Sequence, residues 1–525
     1  MEITAIKDGK SQTFFGEKEI SLLEQLRSRD IYISAACGGR GKCGKCRVQI
    51  TSGAEDATEA DEKYLHPEEL AAGWRLACVT YPKEDCCVVI PTDETDFAVV
   101  SEHQEKEKEK PVVPEESEYD IAIDIGTTTI AIGLVGTYSG HTIHTVTMVN
   151  RQRAYGADVI SRIQASNEGQ KEELKECIRR DLYDGILQLL KESHVEAERV
   201  RRIAVAGNTT MGHLLMGYSC ETLGIYPFTP VNIDTIRIGA TELFAAQMAE
   251  DKETAVKLSA EIVLLPGIST YVGADIAAGL LSCGFDKLEK PCILIDLGTN
   301  GEMAIGTKER ILVTSTAAGP AFEGGNISCG MGSLPGAICN VKIAENEVQI
   351  KTIGDKSPVG LCGTGVIETA YELVKEELVD ETGMLEEEYF EEGFPVARTI
   401  EGEPITFTQK DVREIQLAKS AVRAGVETLL KRYGITHDEV DRVFLAGGFG
   451  YRIDFDKTAG IGMLPREWKE RTLAVGNSSL GGAVSYLTEG SAADRLEKLV
   501  AVSREIELST DADFNRFYTE YMFFE

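Results

Sequence analysis

Four cysteines stand at a spacing that suits an iron–sulfur cluster. Cys37, Cys43 and Cys46 follow one another as Cys-x5-Cys-x2-Cys, and Cys78 stands far downstream. An iron–sulfur cluster requires cysteine thiolates that converge on its irons. A structural zinc site is the alternative, but such sites usually present their cysteines as two Cys-x2-Cys pairs. Because the fourth cysteine here is alone and distant, the spacing favours the cluster.

Glycines fill the loop between these cysteines, at positions 38, 39, 41 and 44. Glycine adopts positive φ at little cost, so the loop can bring its backbone N–H groups close to the sulfurs. The spacing resembles that of vertebrate-type and related bacterial [2Fe–2S] ferredoxins, and its loop is one residue longer than the plant-type loop. The resemblance implies a β-grasp fold for residues 1–93 and a [2Fe–2S] cluster on the four cysteines.

A second chemical motif begins at Asp124, in Asp-Ile-Gly-Thr-Thr-Thr. It ends one apolar stretch and leads into another, Ile130–Val135, which predicts a strand–turn–strand hairpin. A P-loop would instead need Gly-Lys-Ser/Thr at the start of a helix. Asp124 can hold Mg²⁺ through water, and the turn offers backbone and hydroxyl donors to phosphate. The predicted nucleotide-binding residues of this turn are Gly126, Thr127, Thr128 and Thr129.

A similar motif begins at Asp296, in Asp-Leu-Gly-Thr-Asn-Gly-Glu. Its predicted nucleotide-binding residues are Gly298, Thr299, Asn300 and Gly301. Two such hairpins can close on a triphosphate from opposite sides, and Asp124, Asp296 and Glu302 are then the candidate catalytic residues. A plain tight turn is the alternative for either hairpin alone, but it is a poorer account of two.

The two motifs belong to a longer repeat. From Tyr119 onward, buried strands alternate with helical patterns, which indicates an α/β region. Four strands in this region end in short motifs, and the motifs alternate along the chain. The Asp-x-Gly-Thr motif at Asp124 is followed by Ala-Gly at Ala206, and the second Asp-x-Gly-Thr motif, at Asp296, is followed by Ala-Gly at Ala446. Matching order in both halves predicts a duplicated architecture. Gly447 and Gly448 follow the last strand and suit a nucleoside packed against bare backbone.

Three further segments suit the same site less specifically. Asn208, with the two threonines that follow it, either lines the cleft or caps a helix. Cys362-Gly-Thr-Gly365 opens a helical run, and its amides either face the nucleotide or belong to a plain loop. The glycine-rich stretch 317–332 is interpreted as a loop near the cleft, with Glu323 as a polar contact.

Between the two chemical regions lies a stretch with dense mixed charge, two prolines and no apolar periodicity. Such a segment cannot bury enough surface to offset its ordering entropy, so it is predicted to be a flexible linker. A solvated helix is the alternative, and it would stop at Pro111. The expected organisation is a cluster domain at 1–95, a linker at 96–118, and two halves of one domain at 119–290 and 291–525.

Composition restricts the partners and the compartment. The formal net charge of −32 argues against nucleic-acid binding, which needs clustered lysine and arginine. No apolar run is long enough for a bilayer span, and the N-terminus lacks the features of a signal peptide. An odd count of 13 cysteines argues against a disulfide framework. A cytoplasmic protein without a membrane anchor is therefore expected.

Residues 119 to about 500 resemble the acetate kinase/sugar kinase/Hsp70/actin superfamily, whose domain is a duplicated, ribonuclease H-like ATPase. The whole chain resembles the reductive activators of corrinoid proteins. The shared motifs are the two Asp-x-Gly-Thr hairpins, Ala317-Ala-Gly-Pro-Ala-Phe-Glu-Gly and Leu445-Ala-Gly-Gly-Phe-Gly. The resemblance implies an α+β and α/β multidomain protein with a [2Fe–2S] cluster, ATP and Mg²⁺.

The same resemblance implies a function. Such activators return the cobalt of a corrinoid protein from Co(II) to Co(I) in a methyltransferase system, and they use ATP to do so. The implied partners are that corrinoid protein, an upstream electron donor and a second copy of the chain, bound through the ATPase domain. Three alternatives remain: an ATP-dependent donor to another metalloenzyme, a redox-sensing nucleotide-binding regulator, and a small-molecule kinase. A kinase leaves the cluster unexplained.

Overall fold

The computed structural model describes residues 1–7, 9–29, 31–35, 37–54, 56–91, 116–251, 258–344, 347–447 and 453–524. Most of the predicted linker at 96–118 therefore lies outside the described residues. Within the described ranges, no helix is both long enough and apolar enough to cross a bilayer.

The N-terminal domain is a five-stranded mixed sheet that packs against a short helix. Across the sheet the strands are ordered β2-β1-β5-β3-β4, and β1 pairs in parallel with β5. Ser21 caps the first helix, since its side chain accepts a hydrogen bond from Glu24 N. The elements are β1 (Glu2–Lys7), β2 (Lys10–Phe15), α1 (Leu22–Arg27), β3 (Arg47–Ser52), α2 (Glu59–Tyr64), α3 (Pro67–Ala71), β4 (Trp74–Leu76) and β5 (Cys86–Val89).

The next region is built on a six-stranded sheet in the order β10-β11-β9-β6-β7-β8. Its central strands are apolar because both faces of the sheet are covered by helices or by the second half. The elements are β6 (Tyr119–Ile125), β7 (Thr129–Gly136), β8 (Thr142–Val149), α4 (Val159–Ala165), α5 (Lys171–Glu192), β9 (Val200–Gly207), α6 (Thr209–Met216), β10 (Ile236–Gly239), α7 (Ala240–Leu243), α8 (Ala245–Glu250), β11 (Glu261–Leu264) and α9 (Ala274–Ser282).

The last region has its own six-stranded sheet, in the order β21-β20-β12-β13-β14-β22. Two small sheets, β16-β15-β17 and β18-β19, lie in the insertion between its two motifs. The strands are β12 (Cys292–Leu297), β13 (Gly301–Thr307), β14 (Arg310–Thr316), β15 (Ala337–Ala344), β16 (Glu347–Thr352), β17 (Gly360–Leu361), β18 (Phe394–Arg398), β19 (Pro404–Phe407), β20 (Arg442–Ala446), β21 (Thr472–Gly476) and β22 (Ser503–Glu505). The helices are α10 (Gly363–Lys375), α11 (Gln409–Tyr433), α12 (Phe455–Gly460), α13 (Ser478–Thr488), α14 (Ala492–Val502) and α15 (Ala512–Glu520).

The register of the two large sheets confirms the predicted duplication. In each half, the strand that carries the aspartate forms an antiparallel hairpin with the next strand and pairs in parallel with the Ala-Gly strand. Asp124 lies beside Ala206 in the first sheet, and Asp296 lies beside Ala446 in the second. Equivalent residues of the repeat therefore occupy equivalent places in both sheets.

Helices α9 and α13 join the two halves through close backbone contact. A Cβ added to Gly482 of α13 would lie 2.0 Å from the carbonyl oxygen of Ala278 in α9. That position therefore needs glycine for packing. The contact matters for the site, because the first turns of these two helices carry polar residues that face the two hairpins.

We expect Gly482→Ala to separate α9 from α13 and to destabilise the chain by about 1–3 kcal/mol, the usual cost of overpacking. Gly212→Ala is the matched control, because a Cβ added to that helical glycine meets nothing within 4 Å. The control should be neutral or slightly stabilising, since alanine favours helix. Thermal unfolding of both variants measures the difference, and equal midpoints would contradict the packing argument.

Candidate functional site

The four predicted cluster cysteines lie in the N-terminal domain as two pairs. Cys37 and Cys43 are in hydrogen-bonding contact, and so are Cys46 and Cys78. Among the described residues, no three His, Cys, Asp or Glu side chains are grouped as ligands of a single ion. Two pairs of thiols fit the two irons of a [2Fe–2S] cluster better than one zinc ion, which needs all four ligands around it.

Backbone amides surround these sulfurs, as the loop glycines predict. All four loop glycines have positive φ, between 66° and 89°. Burial alone would raise the pKa of Cys37, but hydrogen bonds from the amides of Lys42, Arg40 and Gly39 lower that pKa below its usual value. A hydrogen bond from Cys78 lowers the pKa of Cys46 to about 7. The pKa of the partner thiol in each pair, Cys43 or Cys78, is raised, chiefly by burial for Cys43 and by the hydrogen bond with Cys46 for Cys78. One thiol of each pair is therefore favoured as the thiolate, the form that binds iron.

The two Asp-x-Gly-Thr motifs form the predicted hairpin turns. Gly126 N donates to Thr129 O at 2.9 Å, and Gly298 N donates to Asn300 O at 3.0 Å. The turns face each other, because Glu323 accepts hydrogen bonds from both of them. Its Oε2 lies 3.3 Å from Thr128 Oγ1 and 3.0 Å from Thr299 Oγ1. The structure thus brings the first turn, the second turn and the glycine-rich loop together.

Carboxyl groups from both halves crowd the space between the turns. They belong to Asp124, Asp275, Asp296, Glu302 and Glu323, and each is half-buried. Burial, reinforced by neighbouring carboxylates, raises the pKa of Asp275 and of Asp296 to about 7. The pKa of Glu302 is also raised, by burial and by the same two aspartates.

Helix α13 of the second half reaches the aspartate of the first. Asn477 Nδ2 donates to Asp124 Oδ2 at 2.8 Å, and Ser479 Oγ donates to Asp124 Oδ1 at 2.7 Å. Ser478 lies beside Asp296 and lowers the pKa of that carboxyl against the larger effect of burial. Both aspartates therefore lie beside one helix N-terminus, whose Asn477 also caps the helix by accepting from Leu480 N.

Asn208 has a similar local role beside the first turn, although it follows β9, which is not the equivalent of β21. It caps α6 by accepting from Met211 N, and its Nδ2 donates to Thr127 Oγ1 at 3.1 Å. Helix capping and a place beside the turn, which the sequence leaves as alternatives, therefore both apply. In each half a strand ends in Gly-Asn and a helix begins with two hydroxyl residues.

Sequence reasoning missed Asp275, Asn477, Ser478 and Ser479. The last three carried a local signal, because Gly476-Asn-Ser-Ser resembles Gly207-Asn-Thr-Thr, although β21 and β9, the strands that precede these segments, are not equivalent in the repeat. Asp275 carries no such signal. It opens α9 after a glycine, and only the fold places it beside Asp296.

Several predicted glycines are required by packing. A Cβ on Gly447 would lie 2.2 Å from Leu297 O, and one on Gly301 would lie 2.7 Å from Thr316 Oγ1. Gly363, in the Cys362-Gly-Thr-Gly365 segment, packs as closely against Phe322 O. Asn300 donates a hydrogen bond to Glu302, so it supports the carboxyl cluster from within its own turn. Gly448 lies outside the described residues.

The donor set between the halves suits a magnesium–nucleotide complex. Hydroxyl and amide donors on two turns match phosphate oxygens, and carboxylates match a hard divalent cation. The carboxylate of Asp124 repels that of Asp275 and raises its pKa. The carboxylates of Asp275, Asp124 and Glu323 raise the pKa of Asp296 in the same way. A bound cation would relieve this repulsion. No two residues of this set resemble the nucleophile–base pair that covalent catalysis requires.

Family models match the chain in three consecutive segments. Residues 5–83 match the 2Fe-2S iron–sulfur cluster binding domain. Residues 119–288 match the RACo middle region, and residues 290–525 match the C-terminal domain of RACo, which is the ASKHA domain. The two RACo models together span the chain from residue 119 to its end, apart from one residue.

Full-length relatives agree with these matches. The corrinoid activation enzyme RamQ of Eubacterium limosum is 28% identical, and the alignment covers 96% of this chain and 97% of the relative. The [Co(II) methylated amine-specific corrinoid protein] reductase of Methanosarcina barkeri is 27% identical over 76% of each chain. A solved structure of a reductive activator for corrinoid, iron–sulfur protein superposes with a TM-score of 0.70 at 27% identity, covering 100% of this chain and 98% of that one. The chain therefore belongs to the RACo family, with an N-terminal 2Fe-2S domain and a C-terminal ASKHA domain.

Proposed function

We propose that this chain is an ATP-dependent reductase that activates a corrinoid protein by reducing its cobalt from Co(II) to Co(I). The observation that carries the proposal is the presence, in one RACo-family chain, of a paired-cysteine site and two facing phosphate-type turns. The relatives named as a corrinoid activation enzyme and a Co(II) corrinoid protein reductase support it over most of their length.

The cysteine pairs supply the electron side of this function. Cys37, Cys43, Cys46 and Cys78 would hold the cluster, which when bound supplies one electron at a time to the cobalt. The loop amides that donate to the sulfurs stabilise negative charge there and so help to set the reduction potential. Cys37 and Cys43 are the more exposed pair, so they lie nearer to the surface through which an electron would leave.

The two turns supply the nucleotide side. The hydroxyl and amide donors of Thr127, Thr128 and Thr299 would bind phosphate oxygens, and Asp124 and Asp296 would hold Mg²⁺ through water. Glu323 bridges the two turns through hydrogen bonds, so it is placed to respond when they close on a nucleotide. Pairing of two chains through the ASKHA region and the identity of the upstream donor stay predictions.

Nucleotide is needed if the electron must move uphill. A one-electron gap of roughly 200 mV corresponds to about 4–5 kcal/mol, from 59 mV per tenfold change in equilibrium constant. Binding and hydrolysis of ATP can supply that free energy by favouring one conformation of the donor–acceptor complex.

The direct test mixes the reduced, cluster-loaded chain with a Co(II) corrinoid protein from a methyltransferase system. The Co(I) absorption band should grow when MgATP is present and should stay near background without it. Equal rates with and without nucleotide would contradict the proposed role of the ASKHA region. Absence of Co(I) with all such partners would contradict the proposed acceptor.

We expect Cys43→Ser to abolish electron transfer to cobalt while the chain still binds nucleotide, because the cysteine lies in a different domain from the two turns. Visible absorption and electron paramagnetic resonance check the cluster, and titration with a fluorescent ATP analogue checks nucleotide binding. Cys87→Ser is the matched control, since Cys87 lies on β5 outside the two pairs. A Cys43→Ser variant that reduced cobalt at the wild-type rate would refute the ligand set.

We expect Asp296→Asn to lower ATPase activity at least tenfold, because the amide cannot replace a carboxylate that holds Mg²⁺ through water. Asp234→Asn, in an exposed loop, should keep wild-type activity. Phosphate release measures both. Full activity of Asp296→Asn would remove the second hairpin from the site.

The same substitution should change the pH dependence of stability. Burial and neighbouring carboxylates raise the pKa of Asp296 to about 7, whereas an unfolded aspartate titrates near 3.9. The folded chain therefore binds protons more tightly, and the stability of the nucleotide-free protein falls as pH rises from about 4 to 7. Asp296→Asn should raise the unfolding temperature at pH 8 more than at pH 5, and an equal change at both pH values would contradict this.

A further inference from the structure

The cluster domain rests on the first half of the ASKHA region through the loop that surrounds its own sulfurs. A Cβ added to Gly38 would lie 2.9 Å from Tyr155 O, and Arg40 Nη2 lies 3.1 Å from Glu168 Oε2. The guanidinium of Arg27, at the end of α1, lies over the Tyr155 ring, 4.6 Å from its centroid. Arg27 also donates to Ala154 O. In this docked arrangement, the loop at residues 38–40 lies against the first half and remains half-buried.

The segment that receives this loop also holds the first phosphate-type turn. We name residues 150–156 the coupling segment; it contains the 3₁₀ helix Arg151–Ala154. At its start, Asn150 Nδ2 donates to Gly126 O at 2.9 Å. The Asn150 side chain also caps the 3₁₀ helix by accepting from Gln152 N. The coupling segment is therefore bonded to the turn on one side and to the cluster domain on the other.

Arg162 makes a second connection across the same gap. Its Nε donates to Gly156 O at 2.9 Å, and its Nη2 donates to Thr127 O. The side chain is fully buried, and burial lowers its pKa to about 10. One rigid guanidinium thus connects the phosphate-type turn to Gly156. Gly156 directly follows Tyr155, and the ring and backbone of Tyr155 contact the cluster domain.

Peptide geometry makes these two bonds sensitive to phosphate. The carbonyl of Gly126 shares a peptide plane with the N–H of Thr127, and the carbonyl of Thr127 shares one with the N–H of Thr128. When a phosphate oxygen draws either N–H toward itself, the carbonyl on the same plane must turn as well. Asn150 and Arg162 hold those two carbonyls. A ligand at the turn therefore acts directly on the coupling segment.

One hydrogen-bond donor at the docked contact lacks a partner among the described residues. Arg27 Nε is buried and has no hydrogen-bond partner among the residues that the structure describes. A buried donor without a partner weakens the arrangement that buries it. The docked state is thus suited to be one of two states, and a small change in the coupling segment can shift the balance between them.

We propose that nucleotide bound between the two turns releases the cluster domain from this docked position, and that Arg162 is the positioning residue that transmits the binding. The proposal rests on the proposed function, since it assigns a role to nucleotide at that site. Release is the direction that fits electron delivery. A protein-bound cobalt must approach the loop at residues 38–40, and in the docked state Tyr155 and Glu168 lie against that loop and restrict the approach.

Hydrogen–deuterium exchange on the full, cluster-loaded chain tests this without any corrinoid protein. With a non-hydrolysable ATP analogue and MgCl₂, amides at 38–44 should exchange faster, on the order of fivefold, as is typical of allosteric coupling. Arg162→Lys keeps the positive charge but lacks the planar guanidinium whose separate nitrogens, Nε and Nη2, reach the two carbonyls. It should bind the analogue and show no such increase, and an increase equal to that of the wild type would overturn the role of Arg162.

Arg27→Gln tests the coupling from the other side, away from the nucleotide-binding residues. Its loop should exchange rapidly without nucleotide, and because coupling is reciprocal it should bind the analogue more tightly by a similar factor. Arg29→Gln, exposed just beyond the same helix, is the control and should match the wild type. Unchanged affinity in Arg27→Gln would overturn the coupling.

The two proposals fail in different ways in this experiment. If the wild-type chain does not bind the analogue, the nucleotide part of the proposed function is wrong and the coupling falls with it. If the analogue binds but exchange at 38–44 stays the same, only the coupling is wrong.

Discussion

Repulsion among carboxyl groups between the two halves is the constraint on which the rest of the structure depends. Asp124 and Asp275 come from the first half, and Asp296 of the second half meets them where α9 contacts α13. Close glycine packing between those helices holds the groups together despite their charge. Burial, and after it this repulsion, raises the pKa of Asp275 and of Asp296, so the ionised, ligand-free site is electrostatically unfavourable. A site in this condition gains most from a cation, so binding free energy becomes available to change the arrangement of the halves.

The cluster site lies within one domain, unlike the site between the two halves. Its cysteines are held by a glycine-rich loop and by its own sheet, so the site is complete within residues 1–91. What the RACo middle region adds is a surface, at Ala154, Tyr155 and Glu168, that contacts the cluster domain and its loop. The chemistry of the electron carrier is therefore local, whereas access to it depends on the relation between the two regions.

Sequence predicted those features that are encoded over short distances. The hairpin at Asp124 and its repeat at Asp296 were identifiable because aspartate, glycine and threonine must stand at fixed spacing to make the turn. Cysteine spacing predicted the ligands but could not show that the thiols pair as 37 with 43 and 46 with 78. The place of Asp275 and the Arg27–Tyr155 contact were not predictable, since tertiary packing alone brings Asp275 near Asp124 and Arg27 near Tyr155, and each pair stands more than 100 residues apart.

A bound nucleotide could uncover the cluster loop or drive the electron uphill, and the free energies that these two roles require differ. A ligand shifts an equilibrium only by its difference in affinity for the two states, and coupling between sites is typically 1–3 kcal/mol. Raising an electron by roughly 200 mV needs about 4–5 kcal/mol. The few hydrogen bonds of Arg162 and Asn150 are therefore enough to uncover the cluster loop but not to drive the reduction. In the proposed function, the larger contribution comes from relief of the carboxyl cluster on closure and from hydrolysis, so we assign control of access to the coupling segment and the drive to the two hairpins.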